Sequence, residues 1–299
     1  MQRVIPRGPK TLRVEGRAED EMTTYLDEIL ETHRKVAADD RRSIEPFMAA
    51  ATAAPMPRGF RAGLIESGTP AIIAEIKRRS PSKGDLAADL DPAGLARAYE
   101  RGGAACLSVL TDVDYFGGSA ADLAAAHQAV TIPVLRKDFT VCAIDVYEAR
   151  LMGADCILLI VAALTDGELS ELLGLARKLA LDVLVEAHDE AEVERGLAAG
   201  ADLIGVNQRD LETFEVDTDR AVRVASAIPA GVISVAESGI RTPDDARRLL
   251  DAGYRGLLVG ESLVTSGDPT GGVEALRGVG PAGEPGRSSA ADAGDADDG

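Results

Sequence analysis

The chain has 299 residues, 45% of them hydrophobic and 27% charged, with three cysteines and a formal charge of −18. That composition describes a soluble globular chain with core enough for one large domain and not for two. No apolar run approaches the roughly 18 residues of a membrane span and the N-terminus lacks a signal-peptide core, so a cytoplasmic protein is expected, with nucleic acid and anionic membranes excluded as partners by the acidity.

Residues 1–21 are polar and read as a flexible N-terminal extension. From Met22 to about Lys35, Tyr25, Leu26, Ile29 and Leu30 recur at helical spacing, and a second helix is expected over Ser43–Ala53. Both precede the first strand, where they could cap the domain.

Eight apolar runs then read as strands: Ala71–Lys77, Ala105–Leu110, Ile132–Lys137, Asp155–Val161, Asp182–Glu186, Asp202–Asn207, Gly231–Glu237 and Arg255–Gly260. Amphipathic stretches separate them, among them Ala93–Arg101, Asp145–Met152, Glu168–Lys178, Glu190–Ala199 and Pro243–Ala252. Strict alternation of strand and helix implies parallel strands joined by helical crossovers.

The junctions Gly153-Ala-Asp155, Gly200-Ala-Asp202 and Gly253-Tyr-Arg255, with Gly103-Ala-Ala105 as a looser fourth, recur every 47 to 53 residues. Each glycine suits a helix C-terminus in the left-handed conformation. A period of about 50 residues is two βα units, and four such pairs make an α/β protein of the (β/α)8 TIM-barrel class with an N-terminal helical extension, over residues 22–277. The alternative is an open doubly wound sheet, but no Gly-x-Gly-x-x-Gly turn supports it.

Residues 278–299 hold five acids and one base, a net of −4, in a Gly, Pro, Ala, Ser and Asp background without periodicity, and read as a disordered acidic tail. A charge of −14 therefore stays with the rest of the chain, and only six of the 32 basic residues in the full sequence are lysines. An acidic, lysine-poor surface suits concentrated salt, where self-repulsion is screened, so a halophilic protein is expected; genome bias is the alternative. Cys106, Cys142 and Cys156 are scattered and read as buried small apolar residues, not as metal ligands or disulfide partners.

In a barrel of this kind the active site lies at the C-terminal strand ends. Glu75 and Lys77 alternate on the first strand and project to one side, with Ser80 following. The third strand ends in Lys137, the fifth in Glu186, the sixth in Asn207 with Arg209 beyond, the seventh in Glu237-Ser238-Gly239 and the eighth in Gly260-Glu261. The glycines after the last two strands permit close backbone approach to a phosphate.

The segments Ile73-Ala-Glu-Ile-Lys-Arg-Arg-Ser-Pro-Ser-Lys-Gly84, Leu110-Thr-Asp, Tyr115-Phe-Gly-Gly-Ser119, Pro133-Val-Leu-Arg-Lys-Asp-Phe139, Val185-Glu186, Gly205-Val-Asn-Gln-Arg-Asp-Leu211 and Val235-Ala-Glu-Ser-Gly-Ile240 occur in order along the chain. Together they resemble indole-3-glycerol phosphate synthase. The likeness runs in order over about residues 22–276. It implies a carboxy-lyase of tryptophan biosynthesis that closes 1-(2-carboxyphenylamino)-1-deoxyribulose 5-phosphate to indole-3-glycerol phosphate, with no cofactor and no metal.

The resemblance maps the catalytic pattern onto Glu75, Lys77, Lys137, Glu186, Asn207 and Ser238, and the phosphate pattern onto Ser80, Lys77, Gly239, Gly260 and Glu261. Some members have Ser where Glu261 stands. It places Phe116, Phe139, Leu158, Leu211 and Phe214 around the anthranilate ring and offers Arg209 to the carboxylate. His33, His127 and His188 fall outside the pattern and read as incidental. The expected partner is a small anionic phosphosugar, and the chain is expected to be a monomer or homodimer, contact with other tryptophan-pathway enzymes being open. Another phosphosugar isomerase barrel, or a non-catalytic phosphosugar-binding protein, are the alternatives.

Overall fold

The computed structural model describes residues 24–81, 83–210 and 213–279. The expected extension 1–21, residues 280–299 of the expected tail 278–299 and the proposed ring contact Leu211 lie outside them.

Eight parallel strands close into a barrel: β1 (Ala71–Ile76), β2 (Cys106–Leu110), β3 (Val134–Lys137), β4 (Cys156–Ile160), β5 (Asp182–Ala187), β6 (Leu203–Asn207), β7 (Ile233–Glu237) and β8 (Gly256–Val259). Each pairs with the next in sequence, and β8 returns to β1 with Ala71 opposite Gly256. The strands are apolar nearly throughout because one face fills the barrel and the other meets the helices, leaving no solvated side.

Observed strand ends lie within two residues of the expected ones. Ile132 and Val232 were expected in strands and instead tie off turns: their N–H groups donate to the Glu100 carboxylate (3.3 Å) and the Pro229 carbonyl (2.9 Å). At the helix-to-strand junctions, Gly103, Gly153, Gly200 and Gly253 have φ of 85°, 92°, 97° and 104°, values that a side chain would strain.

Three helices precede the barrel: α1 (Tyr25–Asp39), α2 (Glu45–Ala53) and α3 (Phe60–Glu66). The N-terminal pair divides between the two ends. The segment after α2 and the start of α3 close the bottom, where Arg58 N donates to Asp155 (2.7 Å) and Arg61 N to Asp182 (2.8 Å). The acid that opens β5 and the one just before β4 are thus fastenings for this segment. α1, started by a capping box between Thr24 and Asp27, lies at the opposite end. There Thr32 meets the Tyr115 hydroxyl (3.0 Å), Arg34 meets Glu168 (2.8 Å), and Tyr25 packs edge-on against Phe214 with ring centroids 4.8 Å apart.

The barrel helices are α4 (Pro92–Arg101), α5 (Ala120–Ala129), α6 (Ala143–Met152), α7 (Asp166–Lys178), α8 (Glu190–Ala198), α9 (Arg220–Val224), α10 (Pro243–Asp251), α11 (Glu261–Val264) and α12 (Pro269–Arg277). A short hairpin, Arg79–Ser80 with Gly84–Asp85, follows β1 at the mouth. Two residues past α12, Val279 is buried.

Candidate active site

One cavity opens at the C-terminal ends of the strands, and every site residue named from the sequence lines it except Leu211, which is not described. Alternation along β1 sends Glu75 and Lys77 into the same space, where the Lys77 ammonium lies 2.7 Å from Glu75. From β3, Lys137 reaches inward to within 3.2 Å of Glu186 on β5 and 3.7 Å of Glu237 on β7. Asn207 at the end of β6 donates to the other Glu186 oxygen at 3.1 Å.

These groups set one another's charge. Burial works against the Lys137 ammonium, but the carboxylates of Glu186, Glu237 and Glu75 outweigh it and hold its pKa above the usual lysine range. For Glu186, burial favours the neutral acid; Lys137, His188 and the Asn207 bond overcome this and bring the group below the ordinary carboxyl value. Glu237 goes the other way. Burial and the Glu186 charge push it well above the ordinary value, opposite to Glu186 although both face the same Lys137 ammonium.

Glycines make this crowding possible. A Cβ on Gly205 would lie 2.1 Å from Glu237 Oε1, and one on Gly260 would lie 2.3 Å from Glu75 Oε1. Gly205 was not singled out in the sequence, and only the carboxylate folded above it reveals its purpose.

After β7 the chain turns through Ser238 (φ 66°) and Gly239 (φ 73°), both in the left-handed region, which a non-glycine residue such as Ser238 rarely occupies. Gln208 secures the turn by donating to the Ser238 carbonyl at 2.7 Å. Beside it, Gly260 and Glu261 follow β8, and Ser80 comes from the β1 side. The Glu261 carboxylate pairs with Lys83; burial disfavours its charge, but Lys83, Lys77 and Arg209 lower its pKa overall.

The other wall is apolar: Phe116, Phe139, Leu158 and Phe214, with Leu110 and Ile160. Arg209 lies at its edge, with Nη1 donating to the Phe214 carbonyl at 2.9 Å. Polar and apolar side chains therefore line one opening.

This architecture agrees with comparison to known proteins. The family model for indole-3-glycerol phosphate synthase matches residues 26–276. The chain belongs to the indole-3-glycerol phosphate synthase family. A synthase of that name from a Nocardioides species is 54% identical over 225 residues, 75% of this chain and 84% of the relative. Another from Mycobacteroides abscessus is 50% identical over 255 residues, 85% of this chain and 93% of the relative. A solved thiamine phosphate pyrophosphorylase from Pyrococcus furiosus shares the fold at 16% identity, with a TM-score of 0.54 over 72% of this chain and 96% of its own.

Two side chains that the family pattern did not single out also reach the site. Glu237 was read at a strand end without a role, and its place beside Lys137 follows from barrel closure, which no local pattern encodes. His188, set aside as incidental, lies with Nε2 3.8 Å from Glu186. His127 sits at the far end near Asp155 (3.8 Å), away from the mouth.

Among the described residues, His33, Asp112 and Asp138 come close enough to share an ion. Protein donors already hold them: Asp112 accepts from His33 and from the Tyr115 and Phe116 amides, and Asp138 from Thr111, Arg136 and the Phe139 amide. The cluster reads as a brace between α1 and the mouth. No described helix is long and apolar enough to cross a membrane.

Proposed function

We propose that the cavity at the barrel mouth binds 1-(2-carboxyphenylamino)-1-deoxyribulose 5-phosphate and carries out the family's decarboxylating ring closure through Lys137 and Glu186. The observation that carries this reading is the Lys137 ammonium, 3.2 Å from Glu186 and 3.7 Å from Glu237, in a cavity that Phe116, Phe139 and Phe214 also line.

The substrate's two ends suit the two sides of the opening. Its phosphate fits the turns at Ser238-Gly239 and Gly260-Glu261 together with Ser80, with Lys77 close by as a cation. Its carboxyphenyl ring fits between Phe116, Phe139, Leu158 and Phe214, where Leu211 is also assigned, and Arg209 meets the carboxylate. Such a placement brings the ring carbon bearing the carboxylate against the ketone carbon.

Bond formation between those two carbons turns the ketone oxygen into a hydroxyl, and Lys137 supplies that proton. Loss of carbon dioxide from the same ring carbon returns its electron pair and restores the aromatic ring. The new hydroxyl then leaves as water, protonated by an acid for which Lys77 is assigned, while Glu186 takes up the proton lost as the indole double bond forms. General acid and base assistance of this kind contributes typically about 10²- to 10⁴-fold. Asn207 and Glu75 orient Glu186 and Lys77 through the contacts described above, and Ser238 shapes the turn at the phosphate.

The test is direct. Purified protein is mixed with the carboxyphenylamino substrate, and indole fluorescence and carbon dioxide are followed together. Equal amounts of both are expected; fluorescence without carbon dioxide, or neither, would refute the assignment.

A further inference from the structure

His188 follows β5 and is fixed at two points. Its backbone N–H and its Nδ1 both meet Glu192 Oε2, at 2.7 and 3.0 Å, and the Glu192 amide is in turn tied to Asp189, the residue that caps α8. With Nδ1 held on that side, Nε2 points to Glu186 Oε1 at 3.8 Å. This Nε2 is buried and has no hydrogen-bond partner.

The imidazole stands in the wall between two cavities. Glu186 lines the catalytic mouth, while His188 and Glu192 line a second cavity between α1, the ends of β4 to β6 and α9. The charged groups around His188 are Glu186 from β5, Asp189, Glu190 and Glu192 from the α8 side, Asp210 after β6, and Arg220 and Arg223 from α9. Acids outnumber bases here, which favours the imidazolium.

We propose that His188 is a positioning residue: a cation, clamped by Glu192, that keeps Glu186 ionised and aimed during the reaction. The proposal rests on the reading of Glu186 as the base. Burial disfavours a charged His188, yet Glu192 and Glu186 raise its pKa above the ordinary value despite the opposing Arg220. Below that value the imidazolium persists while Glu186 titrates. Opposite charges at this range typically move a carboxyl by roughly one to three pH units. Lys137 bears on the same carboxylate from the other side, so His188 supplies part of the shift.

Two measurements test this. In the pH profile of kcat/KM, the acid limb reports protonation of the base in the free enzyme. His188→Gln should move that limb to higher pH by about one unit, and Glu192→Gln should move it in the same direction by less. His188→Lys, which restores a cation, should bring it back towards the wild-type position. An unmoved limb, with turnover falling only in step with thermal stability, overturns the proposal. The second measurement needs no turnover: with only three histidines in the chain, the His188 ring can be followed by NMR as pH is varied. Coupling is reciprocal, so Glu186→Gln must lower the His188 titration point. Identical titration in both proteins overturns the inference whatever the activity. Absent wild-type turnover would instead strike at the proposed function, leaving the NMR result to decide on His188.

Discussion

Gly205 sits directly beneath Glu237: a methyl group on its Cα would meet the Glu237 carboxyl oxygen at 2.1 Å and Leu184 at 3.2 Å. The smallest residue of β6 thereby sets where a carboxylic acid of β7 stands relative to Lys137. Gly205→Ala should push the Glu237 carboxyl aside at a stability loss of about 1–3 kcal/mol, the usual range for overpacking. The fold should survive, since the displaced atom is the free end of a side chain. Circular dichroism close to wild type with kcat reduced at least about tenfold is the expected pair of results.

Glu237 itself makes a prediction about pH. Its pKa in the folded protein is raised, by burial first and by the Glu186 charge second, so the native state binds its proton more tightly than the unfolded chain does. The stabilisation linked to that proton is complete below the unfolded carboxyl value and is lost as pH rises through the folded value. Glu237→Gln stays neutral throughout. Its melting temperature should therefore rise relative to wild type as pH increases from about 4 to 9, which a series of thermal melts would reveal.

Val279 is 3% exposed although it lies beyond the end of α12 at Arg277. Burying a side chain of this size is worth about 1.5–3 kcal/mol at most. A chain ending at Arg277 should thus melt several degrees below one ending at Val279, at about 2–4 °C per kcal/mol. Equal melting temperatures would show that the valine adds nothing.

Charge gives a further expectation. The chain outside residues 278–299 carries −14, while Lys77, Lys137 and Arg209 line the mouth and Lys83 pairs with Glu261 there. Added salt screens repulsion across the surface more than contacts inside the site. The melting temperature should rise from dilute buffer to molar potassium chloride, with KM rising less than kcat. A steady fall in melting temperature would assign the acidity to genome bias.

Much of this was legible in the sequence because barrel strands are apolar on both faces, so each appears as a short unbroken run. The polar or charged residue closing such a run marks the mouth, which is how Lys137, Glu186 and Asn207 were picked out. What stayed hidden depends on closure. Glu237 gains its meaning from Lys137, a hundred residues earlier in sequence, and His188 from a carboxylate two positions before it that a bend after the strand brings within reach. α3 was missed because its seven residues are too few to show a helical period. The fastening role of Asp155 and Asp182 was missed with it, since their partners are backbone amides and carry no residue signature.

Lys137 is assigned as the acid for ring closure and not as a structural cation. The most direct measurement is single-turnover indole formation by Lys137→Ala, alongside substrate binding and thermal unfolding. Loss of roughly 10²- to 10⁴-fold in the chemical step is expected, the usual worth of general acid catalysis, with binding and folding largely retained. A rate of indole formation equal to wild type in a folded Lys137→Ala protein would contradict the account.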